Sequence, residues 1–239
     1  MKLKVPILGL LSLLLGFSQL VLNATEAVAF ADKFDSYQSP KDILEIGGWE
    51  SDRSEGGCLN PSVVEDQSLS SGRTILLSPK SSPSGQDRNG FISHPFPSTK
   101  EGTKVRLSVD MLHSSEGGAQ AAGLFDDTGA KGYYVFWRAP EGIAGGEIRI
   151  QKVEGSEPVA WNASGKVMAT FKNIGHGSTD RPLAKMLLEI EPASGLLTLS
   201  VDGSVVGTYT DADPIKSFGR VVLRGGQGGY FDNVQVSSE

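Results

Sequence analysis

Strict alternation of apolar and polar residues is the feature that most constrains how this chain can fold. From Val105 to Met111 every apolar side chain lies on one parity and every polar side chain on the other. A period of two predicts a β-strand with one buried face, because successive side chains of a strand point to opposite sides. The same pattern recurs in KGYYVFWRAP, GGEIRIQKVEG, GKVMATFKN, LAKMLLEIEP, GLLTLSVDG, SVVGTYTD and GRVVLRGG.

Turn signals separate these segments and indicate antiparallel pairing. Asp202-Gly203 stands between two strand-like segments and predicts a tight hairpin, because both positions tolerate a positive φ. The stretch 180–191 has one helical feature, Pro182 near a possible N-cap, but its apolar residues alternate, so we predict a strand. Many short strands with regular turns predict an all-β fold, a two-sheet antiparallel β-sandwich of the jelly-roll type, as one domain over residues 30–239.

The first 29 residues predict a signal peptide. Lys2 and Lys4 precede an apolar run over residues 5–22, and Ala27-Val28-Ala29 and Ala29-Phe30-Ala31 are both small-residue cleavage patterns. An uncleaved membrane anchor is the alternative, since the run approaches spanning length. We therefore expect an exported protein, secreted or periplasmic, with no membrane association after cleavage.

Charge and cysteine content exclude some classes of partner and framework. The chain has a net charge of −6, which gives it no general attraction for nucleic acid or anionic membranes. Its single cysteine, Cys58, cannot form an intrachain disulfide. Oligomeric state is open at this point.

Several segments together resemble the concanavalin A-like lectin/glucanase superfamily in its laminin-G-like branch. They are FADKFDSY with GGW, GLFDDTGAKGYYVFWR, LLEIEPASGLLTLSVDGSVVGTY and GGYFDNVQV. The resemblance implies a jelly roll with a concave sheet, in a superfamily whose members often bind or cleave polysaccharides. The E-x-D-x-x-E spacing of its glucanases occurs only at residues 50–55, at the start of the least regular region of the chain, and we expect a non-catalytic domain. The 3-keto-disaccharide hydrolase-like domains are another relative by resemblance, and they transfer no motif.

A candidate carbohydrate site follows from the polar faces of three predicted strands. If Tyr133, Val135 and Trp137 are buried, their neighbours on the strand face outward. Aromatic rings with arginine and carboxylate groups suit sugars, although an ordinary sheet face with charge pairs is the alternative. The predicted ligand-binding residues are Tyr134, Phe136, Arg138, Arg106, Asp110, Glu147 and Arg149.

The tetrapeptide Asp127-Thr128-Gly129-Ala130 permits a rival interpretation. A retropepsin-like aspartic protease carries such a motif after an apolar strand, and a single copy would require a homodimer. The same residues also suit a hairpin loop between GLF and YYVFW, which we prefer.

A possible metal site involves both ends of the predicted domain. Asp232 shares a parity with Tyr230, Val234 and Val236, which predicts a carboxylate on the buried face of the last strand. The first and last strands of a jelly roll commonly pair, which would bring Asp35 near Asp232. Carboxylate oxygens there predict structural Ca²⁺, and hydrogen bonds from backbone amides are the alternative.

Three functional hypotheses result from the sequence. The first is an exported domain that binds a poly- or oligosaccharide without catalysis. The second is a sugar hydrolase or lyase of the same fold, with Asp110 and Glu147 as the first acids to test. The third is a structural or adhesion module of the cell surface, which a large exposed apolar patch would favour.

Overall fold

The computed structural model of the protein consists mainly of two antiparallel sheets. It describes residues 26–51, 62–65, 73–77, 90–112, 119–138, 146–155, 165–172, 183–225 and 229–239. In chain order the elements are β1 (Ala27–Asp32), α1 (Pro40–Glu45), β2 (Glu50–Ser51), β3 (Ser62–Glu65), β4 (Arg73–Leu77), β5 (Gly90–Pro95), β6 (Val105–Leu112), β7 (Ala119–Phe125), β8 (Lys131–Arg138), β9 (Glu147–Glu154), β10 (Lys166–Lys172), β11 (Leu183–Glu191), β12 (Leu196–Val201), β13 (Ser204–Thr210), β14 (Arg220–Gly225) and β15 (Gly229–Ser238). The predicted all-β sandwich is confirmed.

The two sheets differ in size and in how their strands are ordered. The larger sheet runs β13-β12-β11-β6-β15-β4-β3, with β1 as an eighth strand that also pairs with β15. The second sheet has seven strands, in the order β10-β9-β8-β7-β14-β5-β2. Long crossings between the sheets interrupt the chain order, as expected of a jelly roll.

The core lies between the sheets and is built from one parity of each strand. Tyr133, Val135 and Trp137 of β8 are at most 1% exposed and contribute to the main apolar cluster. Val105, Leu107, Val109 and Met111 of β6 face them from the other sheet. The alternation in the sequence therefore predicted the buried faces of both strands correctly.

Local turn chemistry also agrees with the sequence. Asp202 and Gly203 have φ values of 48° and 77° and join β12 to β13, as the predicted tight hairpin requires. Stretch 183–191 is a strand and not a helix. The DDTGA segment joins β7 to β8, where the Asp126 carboxylate accepts hydrogen bonds from the Thr128 hydroxyl and the Ala130 amide. The hairpin interpretation of that segment is confirmed.

The last strand differs from the prediction at one point. The register between β15 and β6 shifts between Asp232 and Gln235, and Asn233 has a φ of 49°, which together mark a β-bulge. The bulge reverses the parity of the strand, so Val234 and Val236 face the core while Asp232 lies with Asp110 on the opposite face. The prediction that Asp232 shares the core-facing parity of Val234 was wrong because the sequence does not reveal this extra residue.

Both ends of the described chain meet on β15. Residues 229–231 of β15 pair with β4, and residues 234–238 pair with β1. β1 begins at Ala27, inside the predicted signal peptide, whose residues 1–25 lie outside the described part of the chain. Among the described residues, no helix is long and apolar enough to span a membrane.

Candidate functional site

Five of the seven predicted ligand-binding residues lie together on the outer face of the seven-stranded sheet. Tyr134, Phe136 and Arg138 occupy the side of β8 that faces away from the core. In the register with β9, Phe136 lies opposite Arg149 and Arg138 lies opposite Glu147. The sequence therefore placed these side chains on one surface, which we call the arginine face.

Arg106 and Asp110 do not belong to this surface. Both lie on β6, which pairs with β11 and β15 in the larger sheet, so they point outward on the opposite side of the molecule. Sequence alternation identifies the polar side of a strand but not the sheet that contains it. The expectation that these two residues converge with Tyr134 and Arg149 was wrong for that reason.

Two rings of the arginine face lie directly on glycines of the neighbouring strand. A Cβ atom added to Gly123 would approach Tyr134 Cδ1 to 2.7 Å, and one added to Gly132 would approach Phe125 Cγ to 2.4 Å. The Tyr134 and Phe125 rings meet edge to face, with centroids 4.8 Å apart. Glycine at these two positions is therefore needed for the Tyr134 and Phe125 rings to form a flat aromatic layer on this sheet.

This aromatic layer is more enclosed than the sequence predicted. Tyr134 is 1% exposed and Phe125 is 2% exposed, whereas Phe136 is half-buried. Burial raises the pKa of the Tyr134 phenol, which stays protonated. Of these rings, Phe136 is the one that offers an accessible face to a ligand.

Arg224 is a member of the arginine face that our sequence reasoning missed. Its guanidinium carbon lies 5.2 Å from the centroid of the Phe91 ring and 5.1 Å from that of Phe136. Phe136 is two strands away from Arg224, and the small Ala121 between them leaves room for the long side chain to cross β7. The alternation in GRVVLRGG puts Arg220 and Arg224 on one side of β14, and this signal was available.

The acids of the arginine face are already paired. Glu147 Oε1 lies 2.5 Å from Arg149 Nε, and Glu50 Oε2 lies 2.5 Å from Arg220 Nη1. For Arg138 and Arg224, by contrast, no acidic partner is found among the described residues. The strand residues of this face therefore carry an excess of positive charge, although the whole chain has a net charge of −6.

The predicted calcium residues lie near each other on the other side of the molecule. Asp232 is opposite Asp110 in the β6–β15 register, and Asp35 lies in the loop after β1, close enough to influence Asp232. Asp232 Oδ1 accepts the Asn233 amide at 2.7 Å, and Asp35 Oδ1 accepts the Arg73 amide at 3.1 Å. The described residues contain no group of three or more His, Cys, Asp or Glu side chains arranged to hold a metal ion.

Asp232 is an unusual carboxylate because it is 3% exposed. Burial raises its pKa to about 6, the Asn233 amide opposes this, and Asp110, Asp35 and Asp32 add repulsion. Asp32 is held separately, since its carboxylate accepts hydrogen bonds from the Tyr37 hydroxyl and from the Trp49 indole. The Asp232 carboxyl group therefore titrates close to neutral pH.

A cleft of about 250 Å³ lies beside the start of β8 and the end of β9. Its central group is Lys152, which is 6% exposed and lies 2.9 Å from Glu154 and 3.1 Å from Asp211. The Tyr133 hydroxyl donates to Asp211 at 2.6 Å and accepts the Ile215 amide at 3.1 Å. Because these charged groups are paired with one another, we interpret the network as the set of contacts that holds loop 211–217 against the sheet.

Comparison with known proteins relates this chain to others through its fold. No protein-family model matches it, and no curated protein is recognisably similar in sequence. A galectin-like protein of unknown function from Bacillus subtilis superimposes with a TM-score of 0.59 at 12% identity, covering 89% of this chain and 97% of that one. The CBM2 module of the evolved Dit of Lactobacillus casei BL23 phage J-1 gives 0.57 at 10%, covering 89% and 95%.

An enzyme is among the structural neighbours as well. The endo-1,3-beta-glucanase from Streptomyces sioyaensis has a TM-score of 0.55 at 18% identity, covering 89% of this chain and 96% of that one. A sialidase also matches, with a TM-score of 0.53 at 15% identity, and there this chain spans only 18% of the other. The resemblance to the concanavalin A-like superfamily is confirmed at the level of the fold.

Proposed function

We propose that this protein binds carbohydrate on the arginine face of its seven-stranded sheet. The observation that carries the proposal is the half-buried Phe136 ring surrounded by Arg138, Arg149 and Arg224. A sugar ring presents apolar C–H groups that stack on an aromatic face and hydroxyl groups that accept hydrogen bonds from guanidinium groups. Structural neighbours that include the CBM2 module and the Emp46p carbohydrate recognition domain, the latter with a TM-score of 0.51 at 12% identity, support this choice.

The proposal is tested by binding measurements on a broad glycan array followed by calorimetry. We expect Phe136→Ala and Arg138→Ala each to weaken affinity by about 5-fold or more, because stacking and charged hydrogen bonds are each worth about 1 kcal/mol or more. Arg106→Ala, the same kind of change on the opposite sheet, is the matched control and should leave affinity unchanged. An array without a single hit from folded protein would contradict carbohydrate binding and turn attention to an adhesion role.

The described carboxyl groups of the arginine face favour binding over hydrolysis. Glycoside cleavage by two carboxyl groups needs them within about 10 Å of each other. Glu147 on β9 and Glu50 on β2 are five strand positions apart, about 24 Å at the usual strand spacing, and each is paired with an arginine. A hydrolase or lyase remains the second hypothesis, and release of reducing ends that disappears in Glu147→Gln would support it.

Export is the second part of the proposal, and β1 suggests where cleavage occurs. Phe30 packs against Trp49 and His94, with ring centroids 5.6 Å and 4.4 Å apart, whereas Val28 is 60% exposed. Cleavage after Ala29 would keep the Phe30 contact, and cleavage after Ala31 would remove it. We therefore propose that the mature chain begins at Phe30, which mass spectrometry of the secreted or periplasmic protein would test.

Structural calcium at Asp35 and Asp232 also remains a proposal. Support comes from the proximity of these two carboxylates, whose oxygens are the hard ligands that Ca²⁺ prefers, and the remaining ligands would be backbone carbonyl oxygens or water. Such an ion would relieve the repulsion that raises the pKa of Asp232.

A further inference from the structure

The guanidinium group of Arg224 is packed against aromatic rings but has no hydrogen-bond partner among the described residues. The Phe91 and Phe136 rings stack near the guanidinium, at 5.2 Å and 5.1 Å from their centroids. The Nε atom is enclosed without a hydrogen-bond partner among the described residues, whereas the two terminal nitrogens are not enclosed in this way. The guanidinium is therefore held between aromatic groups with its outer N–H groups open to the surface.

The chemistry of the guanidinium limits what can bind there. An arginine side chain only donates hydrogen bonds, and its five N–H groups all point outward in one plane. Aromatic contacts occupy the space near its faces, so a partner must approach in the plane. A carboxylate or a related oxyanion meets two N–H groups at once, which a single hydroxyl group does not.

The electrostatics point in the same direction. Burial lowers the pKa of Arg224, which means that the fold disfavours its charged form without an opposing charge. The arginine four residues earlier on the strand, Arg220, has Glu50 and Ser93 as partners at 2.5 Å and 2.8 Å. Arg224 thus differs from its neighbour on the same strand and face in lacking an internal acceptor among the described residues.

We propose that the ligand of the arginine face is an acidic saccharide whose anionic group is bound by the terminal nitrogens of Arg224. The inference rests on the proposed carbohydrate-binding function and specifies its ligand class. Phe136 stacks beside the bound group, and Arg138 adds a second cation without an acidic partner in the described part of the chain. The anionic oxygen group is a uronate carboxylate or a sulfate ester, and the test distinguishes these two sources.

Matched pairs of polymers separate charge from sugar recognition. The full-length protein is titrated with polygalacturonate and with its fully methyl-esterified form, and likewise with dextran sulfate and with dextran. We expect one anionic polymer to bind at least about 10-fold more tightly than its neutral partner, because hydrogen bonds to charged groups are the stronger ones. A preference for polygalacturonate indicates a carboxylate, and a preference for dextran sulfate indicates a sulfate ester.

Variants of two arginines on β14 then locate the contact. Arg224→Gln should reduce affinity for the preferred anionic polymer by about 10- to 100-fold and leave binding to the neutral partner unchanged. Arg224→Lys should recover only part of the loss, because an ammonium keeps the charge but not the planar fork. Arg220→Gln is the matched control and should retain the preference for the anionic polymer.

The outcomes distinguish failure of this inference from failure of the proposed function. Equal binding of neutral and anionic polymers, or of neutral glycans alone, would overturn the acidic ligand while carbohydrate binding stands. Equal losses in Arg220→Gln and Arg224→Gln would indicate general attraction of polyanions and would also overturn it. A fall in melting temperature of Arg224→Gln with an unchanged preference would assign Arg224 a purely structural role. No binding of any polymer or array glycan would overturn both proposals.

Discussion

Replacing Asp232 by asparagine should stabilise the protein at neutral pH, although the change removes a charge from a hydrogen-bonded residue. Asp232 is 3% exposed, and burial with three nearby aspartates raises its pKa to about 6. A carboxyl group with an ordinary pKa of 3.8 therefore resists ionisation in the fold. Asparagine has nearly the same shape, and its side-chain oxygen can still accept the Asn233 amide.

The magnitude follows from the shift in pKa. A difference of about two units between the folded and unfolded chain corresponds to about 3 kcal/mol at a pH above both values. Because the folded-state pKa is raised, the contribution of Asp232 is fully favourable below about pH 4 and is lost as the pH rises through about 6. We expect Asp232→Asn to gain about 1–3 kcal/mol at pH 7.5 and close to nothing at pH 4.

Denaturation in urea provides the assay. The buried Trp49 and Trp137 report unfolding through their fluorescence, and the difference in unfolding free energy between variant and wild type is measured from pH 4 to 8 in the presence of EDTA. Asp127→Asn, an exposed change in the β7–β8 turn, is the control and should stay within about 0.5 kcal/mol. A difference that does not vary with pH, or a variant less stable than wild type at pH 7.5 in EDTA, would refute the reasoning.

Three further predictions address the metal, the loop network and the aromatic layer. If Ca²⁺ binds at Asp35 and Asp232, millimolar Ca²⁺ should raise the melting temperature of the wild type but not that of Asp232→Asn. A wild-type melting temperature that is the same with Ca²⁺ and with chelator would exclude the site. Tyr133→Phe should lower the unfolding free energy by about 1–3 kcal/mol, since the buried Ile215 amide and Asp211 both lose a partner. Urea denaturation measures this loss beside Tyr209→Phe, whose hydroxyl makes no such hydrogen bond within the described part of the chain. Gly123→Ala should displace the Tyr134 ring and lower both stability and glycan affinity, because the new Cβ would lie 2.5 Å from the Tyr133 carbonyl oxygen. Gly203→Ala, which has open space around it but a φ of 77°, should lower stability through backbone strain and leave glycan affinity unchanged.

The low-pH behaviour of Asp211 should be opposite to that of Asp232. Burial disfavours its ionised form, but hydrogen bonds from Tyr133 and the Asp213 amide, together with Lys152, outweigh burial and lower its pKa. A lowered pKa gives stability that is present above the ordinary range of a carboxyl group and is lost as the pH falls through the folded value. We therefore expect the contribution of Asp211 to the unfolding free energy to rise with pH and that of Asp232 to fall with pH, each over its own pH range.

The sequence was sufficient where structure is determined within a single strand or turn. The parity of Tyr133, Val135 and Trp137 fixed which side of β8 is buried, and the Asp202-Gly203 pair fixed a hairpin. Both features depend on backbone geometry over a few residues, so no knowledge of distant partners is needed. The positions of Tyr134, Phe136 and Arg138 on one face followed directly.

The predictions that were wrong concern features that depend on which strands pair with each other. Arg106 and Asp110 have the outward parity that was predicted, but the pairing of β6 with β11 and β15 puts them on the other sheet. The bulge at Asn233 depends on how β15 passes from β4 to β1, which no short pattern encodes. Arg224 was missed because its importance arises from Ala121 and Phe136, residues on two other strands.

The two outer faces of the sandwich differ in how their cations are paired, and this difference supports the arginine face as the proposed ligand site. On the larger sheet, Arg106 lies 2.8 Å from Glu189 and 2.6 Å from Glu239, and Lys104 lies 3.1 Å from Glu189, so these two cations are paired with acids, while Asp110 and Asp232 on the same face repel each other. On the arginine face, the two acids that the strands supply are each used by one arginine, and Arg138 and Arg224 are left without an acid in the described residues. A protein with a net charge of −6 thus concentrates two cations without an acidic partner in the described residues beside the half-buried ring of Phe136. Keeping like charges together costs free energy in the unbound protein, and an anionic saccharide would recover it on binding.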